Sequence, residues 1–245
     1  MIDIHSHILP GLDDGAQTWE EALQMARLAV ADGIRIMVAS PHLYQNRVVD
    51  NETLNDKETI LDTVKQFKQK LREEEIDLEI LPGCDTPLCF ELIRLMDNGQ
   101  LLTINDGNRY LLLELPDTSF PPATEQVCFR LQSKGVTPII THPERNFIIQ
   151  EMPAKIERLL DLGCLVQITG SSLLGVFGRG VAKFTRLLVK KGYVHLVASD
   201  AHNTRSRPPV LSPAVEALSA LVGPEQARAM VTVIPEKIVK GEPCF

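Results

Sequence analysis

Short apolar runs alternate with stretches of helical period along nearly the whole chain, and this limits the fold more than any other feature. Strand candidates fall at residues 2–4, 34–39, 78–81, 110–113, 137–140, 165–168 and 195–198. Helical stretches lie between them. The first starts at Thr18, whose spacing to Glu21 predicts a capping box, and runs to Asp32 with Gly33 as its stop. Others are expected at 52–75, 87–96, 123–133, 153–162 and 181–191. Helices at 213–222 and 224–231, and a last one near Pro235, close the chain. No repeat or low-complexity linker interrupts the pattern. Strands that alternate with helices predict a parallel sheet, either open and doubly wound or closed as a barrel. At 245 residues one α/β domain, 1–245, accommodates the chain.

Periodicity does not choose between the two closures, but in both the chemistry gathers beyond the C-terminal ends of the strands. The residues found there are unusual. His5 and His7 follow the first run, spaced to share one face, with Asp14 shortly after. His42 follows the second run, Asp85 the third, and Glu114 ends the fourth. His142, Glu144 and Arg145 follow the fifth, and Asp200 and His202 the seventh. The sixth gives only Gln167, Thr169 and Ser171. Five of the six histidines are used; His195 starts the seventh run and reads as structural.

Taken singly, each of these residues is explained as a helix cap or a satisfied polar group. Converging on one rim, they repel and lose hydration unless cations pair them. Imidazoles and carboxylates without a thiolate suit Mn, Fe or Zn and argue against a structural zinc knuckle. Nine ligands, His5, His7, Asp14, His42, Asp85, Glu114, His142, Asp200 and His202, exceed what one ion needs, so two or three divalent ions are expected.

Composition narrows the partners. A formal charge of −7 disfavours sequence-independent nucleic-acid binding. No apolar run reaches membrane-spanning length and no signal segment precedes Ile2, so the expected setting is the cytoplasm. The five cysteines include no CxxC pair, which fits reduced thiols, and Cys128 and Cys164 read as small buried hydrophobes. Cys89 to Arg94 is one residue short of a phosphate-cradling thiol loop. GxxxxGK[ST] and GxSxG are absent, and "GVFGRG" (175–180) reads as a turn before a helix.

The motifs "DIHSHILPGLDDG", "THPERN" and "SDAHNTRSRPP", with a carboxylate after the third run and glutamate at the fourth, resemble the polymerase-and-histidinol-phosphatase (PHP) superfamily. Within it the chain is similar to bacterial capsule- and exopolysaccharide-type protein-tyrosine phosphatases, nearly end to end. The resemblance implies a distorted seven-stranded (β/α)7 TIM-like barrel. It assigns His5, His7, Asp85 and Asp200 to a first metal, and Asp85, Glu114 and His142 to a second. Asp14, His42 and His202 go to a third, and Arg145 and Arg207 become phosphate-gripping arginines. One departure stands out: the family has "PGxE" after the third strand, whereas "PGCD" ends in the shorter Asp85, which puts the spacing of the first two ions in question.

The resemblance implies hydrolysis of phosphotyrosine, by water activated at the ions, most simply Mn, with Fe or Zn as alternatives. A tyrosyl leaving group, with a pKa of about 10, needs little acid help, and Asp14 or Glu144 is the candidate donor. The implied substrate is the tail of a membrane tyrosine kinase of polysaccharide export. The phosphatase thereby regulates capsule or exopolysaccharide synthesis; a homo-oligomer is left open. The alternatives are a histidinol-phosphatase-like phosphomonoesterase, a silent phosphopeptide binder and a nuclease. An amidohydrolase wants lysine where Glu114 stands.

Overall fold

Eight parallel strands form two sheets among residues 1–43, 55–89 and 91–244, which the computed structural model describes. The first sheet has the order β1 (Ile2–Ser6), β2 (Ile36–Ala39), β3 (Glu79–Pro82). The second runs β4 (Asp85–Pro87), β5 (Tyr110–Glu114), β6 (Thr137–Thr141), β7 (Leu165–Thr169), β8 (Leu196–Ala198). The described helices are α1 (Trp19–Ala31), α2 (Lys57–Glu73), α3 (Leu92–Asp97), α4 (Thr124–Ser133), α5 (Phe147–Glu151) and α6 (Ala154–Asp161). They continue with α7 (Gly170–Leu174), α8 (Arg179–Lys190), α9 (Ser212–Val222), α10 (Pro224–Ala229) and α11 (Val233–Lys240).

The seven expected strands are all present, and an eighth, β4, follows just beyond the third run after a break in pairing. Ala39 pairs with Pro82, and then the chain changes partner, with Asp85 opposite Leu112 of β5. The break falls at Gly83, where a Cβ would sit 2.6 Å from Val38 Cγ1, so only glycine lets the backbone pass this close to β2. Single bridges join the sheets, His42 to Asp85 and Ser6 to Ala201. The first carries Asp85 N–H to Pro41 C=O at 3.1 Å; the second carries His7 N–H to Ala201 C=O at 2.8 Å.

Strand periodicity then separates core from chemistry. Leu112, Ile139, Leu165, Leu196 and Ala198 join Ile4 and Val38 in one apolar cluster, closed by Ile238 and Val239 of α11. Two residues further along the same strand faces come Glu114, Thr141, Gln167 and Asp200. One face of β5 to β8 therefore changes from apolar to polar as these strands near or pass their C-terminal ends. A larger cluster, including Met37, Leu111, Leu113, Ile140 and Val166, lies beneath the helices with Met25, Phe67 and Leu188.

Several helix boundaries differ from the sequence expectation. Thr18 caps α1 by accepting from Glu21 N–H at 3.2 Å, but the Glu21 carboxylate returns to Gln17 N–H at 3.0 Å, one residue before the expected box partner. α2 begins only at Lys57, because Asp56 caps it by accepting from Thr59 N–H at 2.8 Å; positions 52–54 of the expected helix lie outside the described residues. Expected helix 87–96 shortens to α3, since Pro87 is drawn into β4 opposite Glu114. The "GVFGRG" turn before α8 is as expected, with Gly175 and Gly178 at φ of 89° and 95°.

Candidate metal centre

All nine expected ligands meet at the rim where the two sheets join. They form four overlapping groups: His7, Asp14, His42 and His202; His5, His7 and Asp200; His5, Asp85 and His142; and His42, Asp85 and Glu114. Donor atoms within each group lie within 4.8 Å of one another. The three-way partition implied by the resemblance is therefore blurred, because His5, His7, His42 and Asp85 each belong to two groups. Glu114 still approaches His142, its expected companion, at 3.7 Å.

Two of the imidazoles, His5 and His7, are aimed by hydrogen-bond partners. His5 and His7 bring their Nε2 atoms to 3.2 Å, as the shared strand face predicts. His5 Nδ1 meets Gln167 Oε1 at 2.9 Å, and His7 Nδ1 meets Asp13 Oδ2 at 2.6 Å. These contacts leave both Nε2 atoms facing the cluster, the usual means of fixing a metal-binding tautomer. Asp13 also accepts from His42 N–H at 3.0 Å and Gly15 N–H at 2.9 Å, so it ties three parts of the rim together. Gly15 is required there, since a Cβ would lie 2.0 Å from the His7 carbonyl oxygen. His142 and Asp200 adopt left-handed backbone, at φ of 33° and 53°, a conformation that costs non-glycine residues energy and recurs at functional sites.

Asp85 turns into the cluster. Its Oδ1 accepts from Thr141 Oγ1 at 3.2 Å, whereas its buried Oδ2 has no hydrogen-bond partner. Around Oδ2 stand His5 Nε2 at 3.5 Å, His42 Nδ1 at 3.7 Å and His142 Nε2 at 3.9 Å. Asp200 divides its oxygens. Oδ1 faces His5 and His7 at 3.4 and 3.3 Å, while Oδ2 accepts from both Arg145 and Arg207.

Burial and like charges displace the titrations in a telling way. Burial, and then the Glu114 charge, push Asp85 well above the usual carboxylate range; Glu114, itself desolvated and near Asp200, rises to about 7. Desolvation lowers His5 to about 3 and His42 to about 4, and holds His142 well below the ordinary imidazole range. His7 is the exception, because Asp13 and Asp200 outweigh its burial and raise it well above that range. Neutral imidazoles beside two carboxylates, Asp85 and Glu114, that resist ionising suit a cation, since a divalent ion favours the carboxylate form and coordinates neutral imidazole. The orphaned Asp85 Oδ2 and His42 Nδ1 make the same point, so the residues fit a group of metal ions.

Asp14, Arg145 and Arg207 line the same cavity of ≈ 170 Å³ as His7, His42, Glu114, Asp117, His142, Asp200 and His202. Glu144, expected as one candidate proton donor, does not line it: the side chain is fully buried, accepting from Thr169 N–H at 3.0 Å. Asp14 does line it, but its hydrogen bond to His202 lowers its pKa and keeps it ionised. His195 is structural as expected, with its Nδ1 accepting from Val166 N–H at 3.0 Å.

Residues 1–240 match the family described as capsular polysaccharide synthesis, CpsB/CapC. The chain belongs to the CpsB/CapC family. It is 41% identical over 207 residues to the tyrosine-protein phosphatase YwqE of Bacillus subtilis, covering 84% of this chain and 79% of YwqE. It is 28% identical to the tyrosine-protein phosphatase CpsB of Streptococcus pneumoniae, covering 99% of both. A crystal structure from the pair YwqE and CpsB, described as unique metal-dependent tyrosine phosphatases, superposes with a TM-score of 0.94 at 38% identity, over 100% of this chain and 96% of that one. A β-aspartyl dipeptidase from Fervidobacterium islandicum superposes at 0.58 with 10% identity, covering 98% of this chain and 74% of that one, a likeness of fold alone.

Sequence reasoning overlooked the residues that aim the CpsB/CapC ligands. Asp13 was visible beside Asp14 in "DDG", but nothing local distinguishes the ligand from its support. Gln167 was placed at the rim end of the sixth run but given no role, because the ring it orients lies 162 positions away. Asp3 belongs with them: it accepts from Ser199 N–H at 3.0 Å and from Ser199 Oγ, fastening β1 to the loop that carries Asp200 and His202.

Proposed function

We propose that this chain is a metal-dependent protein-tyrosine phosphatase of capsule or exopolysaccharide synthesis. The observation that carries the reading is a ligand-lined cavity into which two guanidinium groups also point. His5, His7, Asp14, His42, Asp85, Glu114, His142, Asp200 and His202 hold two or three divalent ions, with manganese the first choice and iron or zinc next. When bound, the ions supply Lewis acidity toward a phosphoryl group and lower the pKa of water.

The chain's own residues do the rest. Arg145 and Arg207 hold the phosphoryl oxygens as planar forks, exchanging part of their contact with Asp200 for substrate. Asp13 and Gln167 keep the rings of His7 and His5 facing inward throughout. Asp14, at the exposed edge of the cavity, remains an anion, so the tyrosyl oxygen leaves with little acid assistance, consistent with a leaving-group pKa of about 10.

The proposed substrate is phosphotyrosine on the tail of a membrane-bound kinase of polysaccharide export, which places the enzyme in the cytoplasm. Among the described residues no helix is long and apolar enough to cross a membrane. We read residues 1–245 as one domain, and the two sheets as one distorted barrel with seven strand positions, β3 and β4 sharing one. The test is elemental analysis of purified protein beside hydrolysis of a phosphotyrosyl peptide, with and without chelator. Metal-dependent release of phosphate is expected. Retention of the peptide without turnover points instead to a phosphopeptide binder, and preference for histidinol phosphate to a small-molecule phosphatase.

A further inference from the structure

The turn between α7 and α8 carries an aromatic side chain that the chemistry above does not use. Phe177 stands between Gly175 and Gly178, and the left-handed backbone of these two glycines sets the path of the turn. Its ring covers the guanidinium carbon of Arg145 at 4.1 Å and approaches that of Arg207 at 5.8 Å. The two arginines come from distant places, Arg145 from the turn after β6 and Arg207 from the loop after β8. They share one anchor, Asp200 Oδ2. Arg145 has one further hydrogen bond, to Thr169 Oγ1 at 3.2 Å, while its Nε is buried without a partner.

We infer that Phe177 is a positioning residue that holds Arg145 and Arg207 as a pair over the phosphate site. The inference rests on the reading of these arginines as the phosphate grip. Phosphate must compete with Asp200 for both guanidiniums, and once that contact loosens the side chains would be free to swing. An aromatic face is attracted to a guanidinium plane whether or not its N–H groups have changed partner, because the ring uses the face of the cation and not its edge. Phe177 therefore keeps the forks in place during the exchange. A phenylalanine suits the position, since it offers no polar atom to compete for the donors.

The test uses the metal-loaded enzyme and inorganic phosphate as the probe. Phe177→Leu keeps an apolar side chain without the ring face, and Phe177→Tyr restores the face. The dissociation constant of phosphate, measured by calorimetry, is expected to weaken about tenfold in Phe177→Leu and return to within about twofold of wild type in Phe177→Tyr. KM for a phosphotyrosyl peptide should rise more than kcat falls, with metal content unchanged. Combined with Arg145→Lys, the Phe177→Leu loss should be less than additive. Unchanged phosphate affinity in Phe177→Leu overturns the inference, as does a loss that Phe177→Tyr fails to restore, or full additivity with Arg145→Lys. Phosphate affinity is read without turnover. A wild-type enzyme that binds phosphate but cleaves no phosphotyrosine therefore defeats the phosphatase reading and leaves this result standing.

Discussion

The two sheets bring different chemistry to the rim. The three-stranded sheet supplies imidazoles, His5 and His7 from the end of β1, with rings fixed by Gln167 and Asp13, and His42 after β2. The five-stranded sheet supplies the inner carboxylates, Asp85, Glu114 and Asp200, with His142, His202 and Arg145 beside them. Neither rim is a metal site alone. All four ligand groups draw from both sheets. Among the described residues, strand pairing between the sheets comes down to two single bridges, so cations bound across the seam would act as a clamp as well as a reagent. Fold and chemistry are joined at the same place.

The largest break in this arrangement is expected from Asp85, which sits in two of the four groups. Asp85→Ala should lose at least one ion and cut kcat/KM by at least about 100-fold, since it removes a ligand and not merely a supporting contact. Full occupancy in that variant, by elemental analysis, would move the bridge to another side chain. Asp85→Glu sharpens the point. The longer side chain should retain or improve occupancy, and activity of the wild type should rise on adding Mn²⁺ if the shorter one leaves an ion labile.

The clamp itself is tested by stability. Ions at about 100 times their dissociation constant stabilise the folded chain by about 2.7 kcal/mol. At about 2–4 °C per kcal/mol for a chain of this size, chelation should lower Tm by roughly 5–10 °C. A melting curve indifferent to chelator would mean that the sheets hold together without the ions.

On the imidazole side, Asp13→Ala leaves every ligand in place but frees the His7 ring. The expected cost is about 10–100-fold in metal affinity or activity, read by metal titration. Unchanged affinity would leave Asp13 with a loop-tying role alone. On the carboxylate side, Arg207→Lys preserves charge but not the planar fork, so roughly a tenfold loss in kcat/KM with unchanged metal content is expected. Wild-type turnover would remove Arg207 from the phosphate grip.

The smallest effect comes from the thiols. Burial pushes Cys84 up to about 12 and also raises Cys89 and Cys244. Alkylation under native conditions should therefore change activity less than twofold, in contrast to chelation. Loss of activity with the ions still bound would call for a cysteine in the chemistry.

Much of this protein was legible in its sequence because strand and helix periods are local properties. The seven apolar runs became strands, and the polar residue types just beyond them marked which end carries chemistry, since alternate residues of a strand share a face whatever surrounds it. The nine candidate ligands and two arginines that meet at the rim could be named on that basis together with the family likeness. What the tertiary structure decided is how they combine. The break at Gly83 depends on how near Val38 approaches, the sharing of Asp85 between groups depends on register across the seam, and the partners of His5 and His7 depend on which rings and carbonyls arrive at the same point. Phe177 lies in a turn that reads as nothing more than glycine-rich punctuation. Its contact with two arginines exists only because α7 and α8 bring that turn over the end of the sheet, and no local pattern records a meeting between segments set by packing.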